Sequence, residues 1–102
     1  MIPAYNEEKN IRLGSLDKVL RYLEKQQYNW EIIMVNDGSN DSTTQLLNDL
    51  TRTNKGCYVV HNEHQGKAAS IITGVLKAKG KFVLFCDLDQ ATPISEVEKV
   101  LP

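Results

Sequence analysis

Segments with apolar residues at helical spacing alternate along this chain with short, nearly continuous apolar runs, and that alternation restricts its fold more than any other feature. From about Glu8 to Gln26, Ile11, Leu13, Leu16, Val19, Leu20 and Leu23 recur on one face, which predicts a single amphipathic helix. Trp30-Glu31-Ile32-Ile33-Met34-Val35 then reads as a strand covered on both sides. "NDGSNDST" supplies a loop and a cap, and a second helix is expected from about Ser42 to Thr53, with Gly56 past its end. "CYVVH" is a further strand and "NEHQG" a loop. A third helix is expected from about Lys67 to Lys79, stopped by Gly80. "KFVLFCD" reads as one more strand, and Thr92-Pro93 as the cap and first residue of a last helix reaching about Leu101. Such alternation requires crossover connections, hence a mainly parallel sheet between helical layers, a three-layer α/β sandwich. Met1-Ile2 is too short for a first strand, yet "IPAYNEE" reads as the exit from one, so residues 1–102 are expected to be part of a larger domain.

Several function classes drop out on composition. Apolar residues make up 41% and charged residues 25%, the balance of an ordinary globular chain. A net charge of −1 gives no general attraction to nucleic acid or to anionic membranes, so any phosphate must be bound locally. No apolar run is long enough to span a bilayer, and "MIPAYNEEKN" lacks the pattern of a secretory signal. Cys57 and Cys86 sit in apolar runs and are expected to be buried thiols in a reducing compartment. The expected location is the cytoplasm, or the cytoplasmic face of a membrane in the full-length protein.

Ligands of an open parallel sheet bind beyond the carboxyl ends of its strands. The strand-to-helix loops assigned to that edge run over residues 3–7, 36–41, 61–66 and 87–93. They contain Asn6, Glu7, Asn36, Asp37, Asp41, His61, Asn62, Glu63, His64, Asp87 and Asp89. Loops on the opposite edge carry amides, glycines and lysines but no carboxylate. The acidic loop residues are thus gathered where a ligand would sit.

Asp87 and Asp89, in "FCDLDQATP", have two readings. One is a solvated strand end leading into the Thr92-Pro93 cap. The other is a pair of hard oxygen ligands for Mg²⁺ or Mn²⁺ bridging a diphosphate. Asn36-Asp37-Gly38-Ser39 could be a tight hairpin, but a helix follows it, which leaves Asp37 to accept donors from a nucleobase or sugar. Asp41 is the expected cap of the second helix. Gly66-Lys67 fails the phosphate-loop pattern, because His61 stands where that pattern needs glycine and Ala68 where it needs Ser or Thr. Lys67 is either solvated or in reach of a phosphate. His61, Glu63 and His64 lack the partners of a zinc set.

Taken together, "IPAYNEE", "VNDGSNDST", "GKAASIITGVLKAKGKFVLFCD" and the D-x-D of "DLDQATP" resemble the family 2 glycosyltransferases of GT-A fold, and among them the polyprenyl-phosphate glucosyl- and mannosyltransferases. The resemblance implies that residues 1–102 are the nucleotide-sugar-binding part of a GT-A domain, inactive alone. It implies that Pro3, Tyr5 and Glu7 line the nucleoside pocket and that Asp37 binds the base with Val35 beside it. Asp87 and Leu88 would lie against the ribose and diphosphate. Asp89 would ligate the metal, with Asp87 as a second candidate ligand. The implied partners are a sugar nucleotide and a lipid-phosphate acceptor, and the implied reaction inverts the anomeric centre with a base beyond the D-x-D. Where mannosyl-type members carry a Gln two residues after the second Asp, this chain has Ala91, and "DQATP" is nearer the glucosyl type. That favours UDP-glucose over GDP-mannose. Two rivals fit less well. A haloacid-dehalogenase-type phosphatase places most of its domain after the D-x-D, and a flavodoxin-like binding or signalling module gives the D-x-D no role.

Overall fold

The computed structural model describes residues 1–80, 83–86 and 88. The expected last helix from Thr92, together with Asp87 and Asp89, lies outside the described residues. The elements are β1 (Ile2–Ala4), α1 (Glu8–Arg12), α2 (Ser15–Glu24), β2 (Ile32–Asp37), α3 (Thr43–Thr53), β3 (Cys57–Asn62) and α4 (Lys67–Lys77). The strands form one parallel sheet in the order β1-β2-β3, with Ile2 opposite Met34 and Ile32 opposite Cys57.

Side chains alternate across a strand, so each strand serves two layers. Ile2, Ala4, Ile32, Met34 and Cys57 point to one face and form the core with Leu16, Val19 and Leu20 of α2, Leu47 of α3, and Leu88. Ile33 and Val35 alternate to the opposite face, on the side where α4 packs across β1 and β2. Gly74 lets α4 come close, because a Cβ there would overlap the Met1 side chain. Every residue of β2 is buried, as its unbroken apolar run predicts for a central strand.

Four details differ from the sequence-based expectation. The first helix is broken at Leu13-Gly14: Gly14 takes a left-handed φ of 92°, and Leu13 is 68% exposed rather than on the core face. The first strand is present at Ile2–Ala4 despite its shortness, held on one side by β2. The third helix stops at Lys77, where Ala78 turns to extended backbone, so Gly80 is not its stop. Val83–Cys86 is not a regular strand but contributes one rung of a parallel ladder. Met1 N donates to Leu84 O at 2.5 Å, and Cys86 N–H donates to Met1 O at 3.1 Å. A residue that bonds to both neighbours of the position opposite is the parallel pattern. The 84–86 segment therefore runs beside β1, on the side away from β2.

Both thiols are free. Burial, and then the charge of Glu24, push the Cys57 thiol up from the ordinary 9.0 to about 11. The folded protein holds this proton to higher pH than an unfolded chain does, so stability is complete below about pH 9 and falls as pH climbs towards about 11. The urea midpoint is expected to drop over that interval, and to drop less in Cys57→Ala measured in parallel.

Candidate functional site

The carboxyl edge is organised by hydrogen bonds between successive loops. After β1 the chain turns at Asn6, whose φ of 51° suits asparagine, the residue after glycine that most readily adopts it. Asn6 N–H donates to Ser39 Oγ at 3.1 Å, and Asn6 Oδ1 accepts from Asn40 N–H at 2.7 Å. Glu7 N–H donates to the hydroxyl of Thr43, which is fully buried, at 2.9 Å. The Glu7 carboxylate accepts from the Asn10 amide at 2.7 Å. The β1 exit is thereby fixed to the start of α3.

The start of α3 draws carboxylates from two directions. Glu8 accepts from Ser42 N–H at 3.0 Å, and Asp41 accepts from Thr43 N–H at 2.9 Å. Asp41 thus serves the helix start as expected, although Ser42 occupies the cap position itself. The Ser42 N–H, and then Arg12, hold the Glu8 carboxyl below the usual range. Burial works against ionisation of Asp41, but the Thr43 hydroxyl and N–H outweigh it and leave its carboxyl lowered as well.

Asn36 and Asp37, adjacent at the tip of β2, face opposite layers. Asn36 Nδ2 donates to Thr44 Oγ1 at 2.7 Å and to His61 Nδ1 at 3.1 Å, while its Oδ1 accepts from Ser39 Oγ at 2.6 Å. His61 Nε2 completes the chain at Asn48 Oδ1, 3.0 Å away. With Asn36 donating to Nδ1, the imidazole is the Nε2–H tautomer and acts as a structural link. Asp37 turns the other way. Its Oδ1 accepts from Gln65 N–H at 2.8 Å, and its Oδ2 accepts from Gly66 N–H at 3.0 Å and from His64 Nδ1 at 2.8 Å. A carboxylate offers about four lone-pair positions, so Oδ1 keeps capacity for one more donor. The Tyr5 ring stacks on His64 with centroids 4.1 Å apart and planes 23° from parallel. Tyr5 and His64, from two different loops, and Asp37 at the tip of β2 therefore form one cluster.

The other expected site residues fall as follows. Pro3 lies in β1 opposite Val35. Val35 is fully buried, and its side chain supports the strand. Leu88 is likewise a core side chain. Lys67 opens α4, and its Nζ lies 5.0 Å from the Phe85 ring centroid, which ties the helix start to the segment leading into Asp87. His61 and His64 point into separate layers, and no group of three or more His, Cys, Asp or Glu suited to a metal occurs among the described residues. The carboxylates expected to hold a metal, Asp87 and Asp89, are outside them. Sequence reasoning missed the roles of Ser39, Thr43 and His64. The signal for the first two was the hydroxyl density of "GSNDSTT" just before a helix.

Gly38 makes the Asp37 arrangement possible. Its φ is 68°, and a Cβ there would lie 2.7 Å from the backbone nitrogen of His64. Gly38→Ala is expected to cost roughly 1–2 kcal/mol from the left-handed backbone alone, and to push the 64–66 loop off Asp37. Hydrogen exchange at the Gln65 and Gly66 amides should accelerate well beyond the change at β2 amides.

Comparison with known proteins fits this arrangement. The pattern of Glycosyl transferase family 2 matches residues 1–102. A dolichyl-phosphate beta-glucosyltransferase of Trichomonas vaginalis is 38% identical, the match covering 94% of this chain and 31% of that protein. The Saccharomyces cerevisiae dolichyl-phosphate beta-glucosyltransferase is 35% identical over 99% of this chain and 32% of its own length. The chain thus spans about a third of the relatives it matches. Among solved structures, S. aureus TarS, crystallised in complex with UDP, superposes with a TM-score of 0.69 at 31% identity, covering 87% of this chain and 26% of that one. The sheet is accordingly part of a GT-A-type fold, and the chain belongs to glycosyl transferase family 2.

Proposed function

We propose that this chain is the donor-binding part of an enzyme that passes glucose from UDP-glucose to a polyprenyl phosphate. The observation that carries the reading is the Tyr5–Asp37 cluster: an aromatic ring beside a buried carboxylate, at the edge where parallel sheets bind ligands. The Tyr5 ring supplies a face for a base, and the Asp37 carboxylate accepts a base N–H. Glu7 and Pro3 border the same loop. Lys67, at the start of α4, offers positive charge to the phosphates.

Asp87 is assigned to the ribose and Asp89, with Asp87 as second ligand, to Mg²⁺ or Mn²⁺. When bound, the cation supplies Lewis-acid stabilisation of the departing diphosphate. The sugar assignment is supported by the names of the relatives, which act on dolichyl phosphate as beta-glucosyltransferases. The base assignment is supported by the UDP in the TarS structure. A beta product from the alpha-linked glucose of UDP-glucose requires inversion, so the transfer is single-displacement. No described helix is long and apolar enough to cross a membrane, and the lipid acceptor is the reason to place the full-length protein at a cytoplasmic membrane face.

Incubation of the full-length protein with dolichyl phosphate, Mg²⁺ and radiolabelled UDP-glucose or GDP-mannose tests this. Label is expected in the lipid phase from UDP-glucose. Label from GDP-mannose alone overturns the donor assignment, and label from neither overturns the function.

A further inference from the structure

We infer that His64 belongs to the nucleobase subsite as a resident side chain that the incoming base must displace. The inference rests on the donor reading above. Three observations carry it. First, the His64 ring stacks on Tyr5 at a centroid distance of 4.1 Å, which is van der Waals contact and leaves no room for a base between the rings. Second, His64 Nδ1 donates to Asp37 Oδ2 at 2.8 Å and approaches the Asp37 carbonyl oxygen at 3.2 Å, so it occupies part of the carboxylate intended for the base. Third, the Asp37 side chain is only 4% exposed while that of His64 is 54% exposed. The imidazole covers the carboxylate and is itself open to solvent.

The loop does not depend on this ring. Gln65 and Gly66 N–H groups hold Asp37 independently through the backbone, so rotation of His64 about its own side chain uncovers the subsite without unfolding the loop. A planar uracil offers what the imidazole offers, an aromatic face for Tyr5 and an N–H for Asp37, and in addition carries the diphosphate towards Lys67. His64 therefore acts as a weak internal competitor. It keeps the buried carboxylate paired when no donor is present and lowers the apparent affinity by the fraction of time it is seated. One stack and one hydrogen bond, each modest in water, make that effect about three- to tenfold.

The test uses the full-length protein with UDP and Mg²⁺. His64→Ala is expected to bind UDP about three- to tenfold more tightly than the wild type, and His64→Gln, which can reach Asp37 but cannot stack, to fall between them. In the wild type, the His64 Hε1 proton is expected to resonate upfield under the Tyr5 ring current and to return to an ordinary shift as UDP saturates. UDP binding that is unchanged or weakened in His64→Ala overturns the inference and leaves the donor reading standing. So does a His64 resonance that stays upfield at saturation, and that readout needs no variant to fold. Absence of UDP binding in wild type and variants alike overturns the donor reading, and the inference with it.

Discussion

Asp37→Ala is expected to cost the protein about 3 kcal/mol of stability and to weaken uridine-nucleotide binding about tenfold to a hundredfold. The first figure follows from two backbone donors, Gln65 N–H and Gly66 N–H, left facing a cavity where the carboxylate had been, at roughly 1–3 kcal/mol for each buried donor left without a partner. The second is the loss of one hydrogen bond to a charged acceptor, about 1.5–3 kcal/mol. Asp37→Asn separates the two effects. An amide keeps one oxygen for one backbone donor but turns an NH₂ towards the other, so it should remain folded while losing most of the binding. Thermal melts and nucleotide titrations on both variants check this. Equal binding by Asp37→Asn and wild type would remove Asp37 from the base subsite.

Asp89→Ala is expected to reduce glucosyl transfer by about a thousandfold with little change in melting temperature. Lewis-acid stabilisation of a leaving diphosphate is worth several kcal/mol, and about 4 kcal/mol corresponds to a thousandfold in rate. Asp89 lies outside the described residues, and its assignment rests on the resemblance of "DLDQATP" to the family 2 glycosyltransferases. The 84–86 segment runs beside β1, and Leu88, between the two carboxylates in sequence, is anchored in the core. A merely solvated Asp89 would leave both the rate and its dependence on Mg²⁺ or Mn²⁺ concentration unaltered. A metal ligand would move both, so titrating the metal in the transfer assay distinguishes the two readings of the D-x-D.

What could be read from the sequence was what long-range packing demands. The fully buried β2, the Leu47 face of α3 and the gathering of polar loops at one edge all follow from apolar periodicity, because a parallel sheet must be covered on both sides. What could not be read was set by single backbone conformations. Leu13 fits a helical stripe by spacing, yet Gly14 adopts φ 92° and leaves Leu13 in solvent. Asn6 and Gly38 bend the two key loops through positive φ, and only the folded chain shows that these bends bring Ser39 to Asn6 and His64 to Asp37. Val35 and Leu88, which the resemblance places at the site, are buried in the folded chain, as their apolar character requires. Histidines three apart invite a metal-ligand reading of His64. Its actual partners, Tyr5 and Asp37, are far away in sequence.

The central claim is that this edge binds a uridine sugar nucleotide together with a divalent cation. Titration calorimetry of the folded protein with UDP-glucose and GDP-mannose, each with and without Mn²⁺, tests it most directly. The account predicts a single site that prefers UDP-glucose, is weakened when Mn²⁺ is withheld, and is weakened about tenfold to a hundredfold in Asp37→Ala. Binding that is absent, or that is indifferent to both the metal and Asp37, would contradict it.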